Sequence, residues 1–248
     1  MLTLAQLRHR ISALEGTPDL AADYPPAAAP LGLAAIDAML PWGGLPAGGL
    51  HEIRAEDPRR PAPALGFAAF CLGRLALQRP GPIVWVSLKD DLYPPGLAGL
   101  GLPTDRLLLV RPARTSELLW SLEEVLRSGA VAGLVGDIDG LDFTAARRLS
   151  LATRASGVPA LLLNRGAALA ALLTRWRVAA LPSQSLFGKG VGLWRWSLTL
   201  ARCRGVALVD DDQAAFWHVE VQDATGGFSL VALSQHRSPD QAGLVRAG

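Results

Sequence analysis

From Leu50 to about residue 175, short apolar runs alternate with longer helical stretches, and no other feature constrains the fold so tightly. "LHEIRA" (50–55), "PIVWVSL" (82–88), "RLLLVRP" (106–112), "VAGLVGDID" (131–139) and "VPALLLNRG" (158–166) read as strands: brief, rich in aliphatic residues, and bounded by Gly, Pro or charge. Between them "ALGFAAFCLGRLALQ" (64–78), "TSELLWSLEEVLRSG" (115–129) and "DFTAARRLSLATRASG" (142–157) carry helical patterns. Thr115 or Ser116 is placed to cap the second of these helices and Asp142 the third, with Gly129 and Gly157 closing them. Strands apolar on both faces and separated by helices build a mainly parallel, twisted sheet with helices on both sides, so the fold class is α/β. "AALAALLTRWR" reads as a helix or part of one, and "LWRWSLTLARCRG", "AFWHVEVQD" and "GGFSLVAL" as an antiparallel C-terminal extension.

The flanks differ from this core. Leu4, Leu7, Ile11 and Leu14 stand at helical spacing in residues 1–16, and "TPDLAADYPPAAAP" (17–30) is a Pro/Ala linker. The expected organisation is an N-terminal helix and linker (1–30), a core domain (31–235) and a flexible tail (236–248). No run approaches the roughly 20 apolar residues of a membrane span, and the N-terminus lacks the apolar stretch and cleavage site of a signal peptide. The expected location is the cytoplasm. Cys71 and Cys203 are expected to be buried thiols, and the four scattered histidines show no metal-ligand spacing.

Several segments, taken in order, resemble the RecA-type ATPase core. In "LGLAAIDAMLPWGGLPAGGLHEI", Asp37, Gly43, Gly44, Leu45, Pro46, Gly48, Glu52 and Ile53 match the passage that leads into the first core strand. "VAGLVGDIDGL" resembles the Walker B strand, with Asp137 as its aspartate. "LLLNRG" is similar to the next strand, and "WRWSLTLARCRG" to a later one with an Arg-rich end. The phosphate-binding loop is where the likeness breaks down. A cradle for triphosphate needs glycines with free backbone N–H groups, a Lys for the phosphates and a Ser or Thr for magnesium. Residues 55–63 read Ala-Glu-Asp-Pro-Arg-Arg-Pro-Ala-Pro, with no Gly, Lys, Ser or Thr. Lys89 falls where such enzymes carry a catalytic Glu, and Arg165 where they carry a nucleotide-sensing Gln. The expectation is a chain without ATPase activity and without a cofactor. A nucleotide-binding enzyme with a nonstandard loop is the rival.

"LGFAAF" after that loop, "VWVSLKDDLYPPGL", "TRWRV" and "RWSLTLARCRG" followed by "WHVEV" resemble the ImuA family over most of residues 1–235. That resemblance implies a non-catalytic accessory protein of the SOS response to DNA damage, serving mutagenic translesion synthesis. It implies ImuB and an error-prone C-family DNA polymerase as partners, with RecA as a further one. The related SulA group, which blocks cell division by binding FtsZ, is the alternative within the same fold.

One compositional signal remains. Between Phe143 and Val209 there is no Asp or Glu, yet Arg147, Arg148, Arg154, Arg165, Arg175, Arg177, Lys189, Arg195, Arg202 and Arg204 all lie there, interleaved with Trp176, Trp194 and Trp196. One reading is a basic surface for single-stranded DNA or an acidic protein, with Arg165, Arg175, Arg177 and Lys189 as its candidate contacts. The other is that these arginines are ordinary solvent-facing residues and the tryptophans are core. For the N-terminal helix, Leu7 and Ile11 are candidates for self-association, against a helix folded back on its own domain.

Overall fold

In the computed structural model, residues 28–169, 171–183, 192–206, 215–222 and 227–232 are described. The expected N-terminal helix with Leu7 and Ile11, Lys189 and the tail from residue 236 lie outside them. Six strands form a parallel sheet: β3 (Leu50–Ala55), β4 (Ile83–Ser87), β5 (Leu107–Val110), β6 (Gly133–Ile138), β7 (Ala160–Asn164) and β8 (Thr174–Leu181). Strands β9 (Arg195–Cys203), β10 (Ala215–Gln222) and β11 (Gly227–Ala232) continue it in antiparallel fashion, giving the order β11-β10-β9-β8-β3-β7-β6-β4-β5. This is the α/β architecture with an antiparallel extension that the alternating pattern predicts. Among the described residues no helix is long and apolar enough to cross a membrane.

Helix α2 (Ala62–Ala76) lies in the core on one face of the sheet, apolar nearly all round. Gly73 lets it approach the neighbouring backbone, since a Cβ there would stand 2.4 Å from the Gly101 carbonyl oxygen. Helices α4 (Thr115–Ser128) and α5 (Phe143–Ser156) cover the other face. Leu118, Leu122 and Leu126, one helical turn apart, bury α4's inner stripe, each contributing on the order of 2 kcal/mol. Asp142 caps α5 by accepting from the Ala145 N–H at 2.7 Å, and Gly129 and Gly157 take left-handed conformations at the helix ends, as the sequence predicts. The expected hydroxyl cap of α4 is not formed. Arg114 holds the cap position, and the Glu117 carboxylate reaches back to the Ala113 N–H at 3.0 Å.

The entry passage folds onto α2's face of the sheet. The Asp37 carboxylate, from the short helix α1 (Ala34–Asp37), accepts from the N–H groups of Leu31 (2.7 Å) and Gly32 (3.0 Å). Strand β1 (Ala28–Ala29) pairs with β2 (Leu45–Pro46), so the last residues of the expected linker belong to the packed core. Gly44 makes that pairing possible, because a Cβ there would meet the Ala29 carbonyl at 2.4 Å.

The helix expected over "AALAALLTRWR" is replaced by an irregular segment and the strand β8. From Thr174 onward buried and half-buried residues alternate, a period of two, and the inward set is Thr174, Trp176 and Val178. These β-branched and aromatic residues fill the open position beside β3. The buried leucines Leu169, Leu172 and Leu173 that read as helical instead pin the chain against the sheet. Cys71 and Cys203 are both buried thiols.

Candidate functional site

In an open parallel sheet, the crevice for ligands lies beyond the carboxyl ends of the strands, where the strand order reverses. Here β3 and β4 are consecutive in the chain but separated in the sheet by β7 and β6. The loops leaving β3, β4, β6 and β7 therefore meet along one edge. Asp137, at the end of β6, is buried, and Ser87 Oγ at the end of β4 donates to it at 3.2 Å. Arg165, one residue beyond β7, places Nη2 on Asp137 and Nε on Asp139, the latter at 2.6 Å. Its guanidinium fills the position in front of the strand-end aspartate. Burial raises the Asp137 pKa against the pull of Arg165 and Lys89, while the Arg165 hydrogen bond lowers that of Asp139. The remaining cavity is small, about 160 Å³, bounded by Ser87, Lys89, Thr115, Asp137 and Arg165. Among the described residues no three His, Cys, Asp or Glu side chains gather as a metal-ligand set.

The segment between β3 and α2 holds itself together. The Glu56 N–H donates to the Val178 carbonyl at 2.9 Å, extending the pairing of β3 with β8. The Asp57 carboxylate accepts from the Arg59 N–H, and the Asp57 carbonyl from the Arg60 N–H, both at 2.9 Å. Pro58, Pro61 and Pro63 have no N–H to offer. Three of the loop's amides thus donate to oxygen atoms of the chain, and three other positions cannot donate.

The basic stretch finds its counter-charges in other segments. Arg175 turns inward onto the buried Glu52 of β3, with its Nη2 on the Leu169 carbonyl. Arg177 faces Glu56 at 3.5 Å, Arg148 pairs with Glu123, and Arg195 stands 3.9 Å from Glu220. Arg165, Arg175 and Arg177 thus each have an acidic partner, and Arg175 and Arg177 lie on the same face of β8. Trp176 and Trp196 are core residues, as the second reading of the stretch holds, while Trp194 is 56% exposed. The Glu52 network was hidden from sequence reasoning, although a carboxylate inside an apolar strand was its visible sign. Glu52 also takes bonds from Asn164 Nδ2 and Arg54, the latter at 3.2 Å.

Comparison with known proteins places these features in context. No protein-family model matches the chain. Two curated relatives, each named Protein ImuA and coming from two strains of Caulobacter vibrioides (NA1000 / CB15N and ATCC 19089 / CIP 103742 / CB 15), are 36% identical to it over 226 residues. Each alignment covers 81% of this chain and 88% of the relative. Among solved structures, the crystal structure of the RadB recombinase superposes with a TM-score of 0.54 at 15% identity, over 81% of this chain and 98% of that one. That likeness is one of fold.

Proposed function

Because the chain belongs to the ImuA family, we propose that it is a non-catalytic, RecA-like adaptor for error-prone translesion synthesis, induced in the SOS response and working in the cytoplasm. Its partners on this reading are ImuB and, through the complex, an error-prone C-family DNA polymerase, with RecA and single-stranded DNA as further contacts. The observation that carries the non-catalytic part is the loop from Glu56 to Pro63. Phosphate binding at a strand-to-helix turn depends on several N–H groups pointing at one point. In this loop the amides of Glu56, Arg59 and Arg60 donate to the Val178 carbonyl and to Asp57, and three prolines have no amide hydrogen. Arg165 supports the same reading, since its cation already neutralises Asp137, the residue that would face a magnesium ion.

Titration calorimetry with Mg-ATP, together with a phosphate-release assay, tests the non-catalytic role. The expected result is no saturable heat and no release above buffer. Saturable binding with hydrolysis that disappears in Asp137→Ala would replace this reading with that of a nonstandard ATPase. Co-purification of the intact chain with ImuB tests the adaptor role, and direct inhibition of FtsZ polymerisation would point to the SulA-like alternative.

A further inference from the structure

We propose that the cleft between the N-terminus of α2, the short helix α3 (Pro94–Ala98) and the β8–β9 pair is a docking groove for a short acidic segment of a protein partner, one bearing leucine or aromatic anchors. This surface shares no lining residue with the Asp137 pocket, although Arg59 to Pro63 of the loop beyond β3 form one of its walls. The cleft measures about 720 Å³, large enough for several side chains. Leu65, Leu97, Leu100, Leu181 and Trp196 line its wall, and Trp196 packs so close to α2 that a Cβ on Gly66 would stand 2.6 Å from its ring. Tyr93 and Trp194, 71% and 56% exposed, offer aromatic rings to whatever enters.

The occupant's chemistry follows from the charges around this apolar wall. Arg59, Arg60 and Arg195 line the cleft, and among the described residues Asp91 is the one acid in its wall. Arg60 reaches Asp57 only at 3.7 Å, an exposed pair that holds it weakly. Arg195 stands 3.9 Å from Glu220 of the neighbouring strand β10, which leaves Arg59 and Arg60 as the cations that meet an occupant. Carboxylates of an entering segment meet the exposed guanidinium groups of Arg59 and Arg60. Charge complementarity of this kind steers a partner and fixes its register, while anchors filling apolar pockets carry most of the affinity.

The wall also separates peptide from nucleic acid. Single strands are held by successive aromatic platforms under a continuous basic track. This cleft is mostly aliphatic, and Asp91 sits in its wall. Leucine and proline surfaces complement aliphatic and aromatic side chains rather than stacked bases.

Selection of a random 12-residue peptide display library on the intact chain tests the proposal. The expected motif joins leucine or aromatic positions with net negative charge, and a synthetic peptide carrying it binds at least tenfold more weakly to Trp194→Ala and to the double variant Arg59→Glu, Arg60→Glu. Trp120→Ala, which removes an exposed tryptophan on α4 outside the cleft, leaves binding unchanged. Enrichment of basic or purely polar peptides, absence of enrichment, or wild-type affinity in the cleft variants overturns the proposal. Oligo-dT binding lost in the same variants would assign the cleft to single-stranded DNA instead. A wild-type dimer in sedimentation velocity that Trp194→Ala dissociates would assign it to a second copy of the chain. None of these outcomes uses ATP or ImuB, so they are distinguishable from failure of the adaptor reading.

Discussion

Arg175 and Glu52 form an ion pair across two neighbouring parallel strands, and the carboxylate is wholly buried while the guanidinium side chain is 18% exposed. They are register partners in the pairing of β3 with β8, so the contact is fixed by backbone alignment. Removing one member of a buried pair leaves an uncompensated charge, which costs about 3–5 kcal/mol. Arg54 and Asn164 still hold Glu52, placing Arg175→Ala at the lower end, about 3 kcal/mol by urea unfolding. Arg175→Met combined with Glu52→Gln should recover most of that loss. Equal destabilisation in the single and double variants would show that the pair does not carry the effect.

The same pairing explains what was legible in the sequence and what was not. Alternation of strand and helix patterns exposes the sheet because periodicity is local, and the Asp142 cap is legible because it spans three residues. The charges from Phe143 to Val209 form a basic block along the chain. In space Glu123, Asp137, Glu52, Glu56 and Glu220 stand beside Arg148, Arg165, Arg175, Arg177 and Arg195. A parallel sheet pairs residues separated by more than a hundred positions, and a linear charge map cannot anticipate that. Strand β8 was missed for a similar reason: apolar "ALLTRW" fits either period, and the free side of β3 decides.

His51 gives the fold an acid-sensitive link. Its Nε2–H donates to the Pro46 carbonyl (3.2 Å), its Nδ1 accepts from Thr174 Oγ1 (2.8 Å), and Trp176 Nε1 donates to the same hydroxyl at 3.0 Å. Burial pushes the imidazole pKa from 6.5 down to about 4, against a smaller upward pull from the Pro46 carbonyl. Between those values the unfolded chain binds a proton that the folded chain refuses, so stability is complete above pH 6.5 and falls as the pH drops toward 4. The loss is roughly 3 kcal/mol. Urea midpoints from pH 7 to pH 4.5 should decline more steeply in the wild type than in His51→Gln; parallel declines would show that another group controls the acid limb.

Arg79 ties two helix ends together. Its guanidinium donates to the carbonyls of Val131 (3.0 Å), Gly157 (2.8 Å) and Gly129 (2.9 Å), the last two just past the C-termini of α5 and α4. Both ends carry unsatisfied carbonyls and partial negative charge, which a fork of N–H donors on a fixed cation matches. An ammonium group cannot reach three carbonyls in this geometry. Arg79→Lys should therefore cost nearly as much as Arg79→Ala, about 2 kcal/mol, read as a lower thermal midpoint. Full rescue by lysine would reduce the role of Arg79 to charge alone.

Arg165 and Asp137 pair at the carboxyl ends of β7 and β6, and their coupling is measurable without any ligand. Burial raises the Asp137 pKa above the usual carboxylate value, and Arg165 is the largest influence opposing that rise. A carboxyl raised in this way costs stability as the pH climbs through its folded pKa, because the unfolded chain ionises first. Arg165→Gln removes the opposing cation, so the penalty grows toward neutral pH, to about 2–3 kcal/mol at pH 7. Asp137→Asn added to Arg165→Gln removes the buried charge and should restore most of that stability at pH 7. The benefit of the second substitution should shrink as the pH is lowered and Asp137 takes up its proton. A benefit that stays constant with pH would mean that Asp137 does not titrate over that range, and the loss in Arg165→Gln would then come from something other than an uncompensated charge.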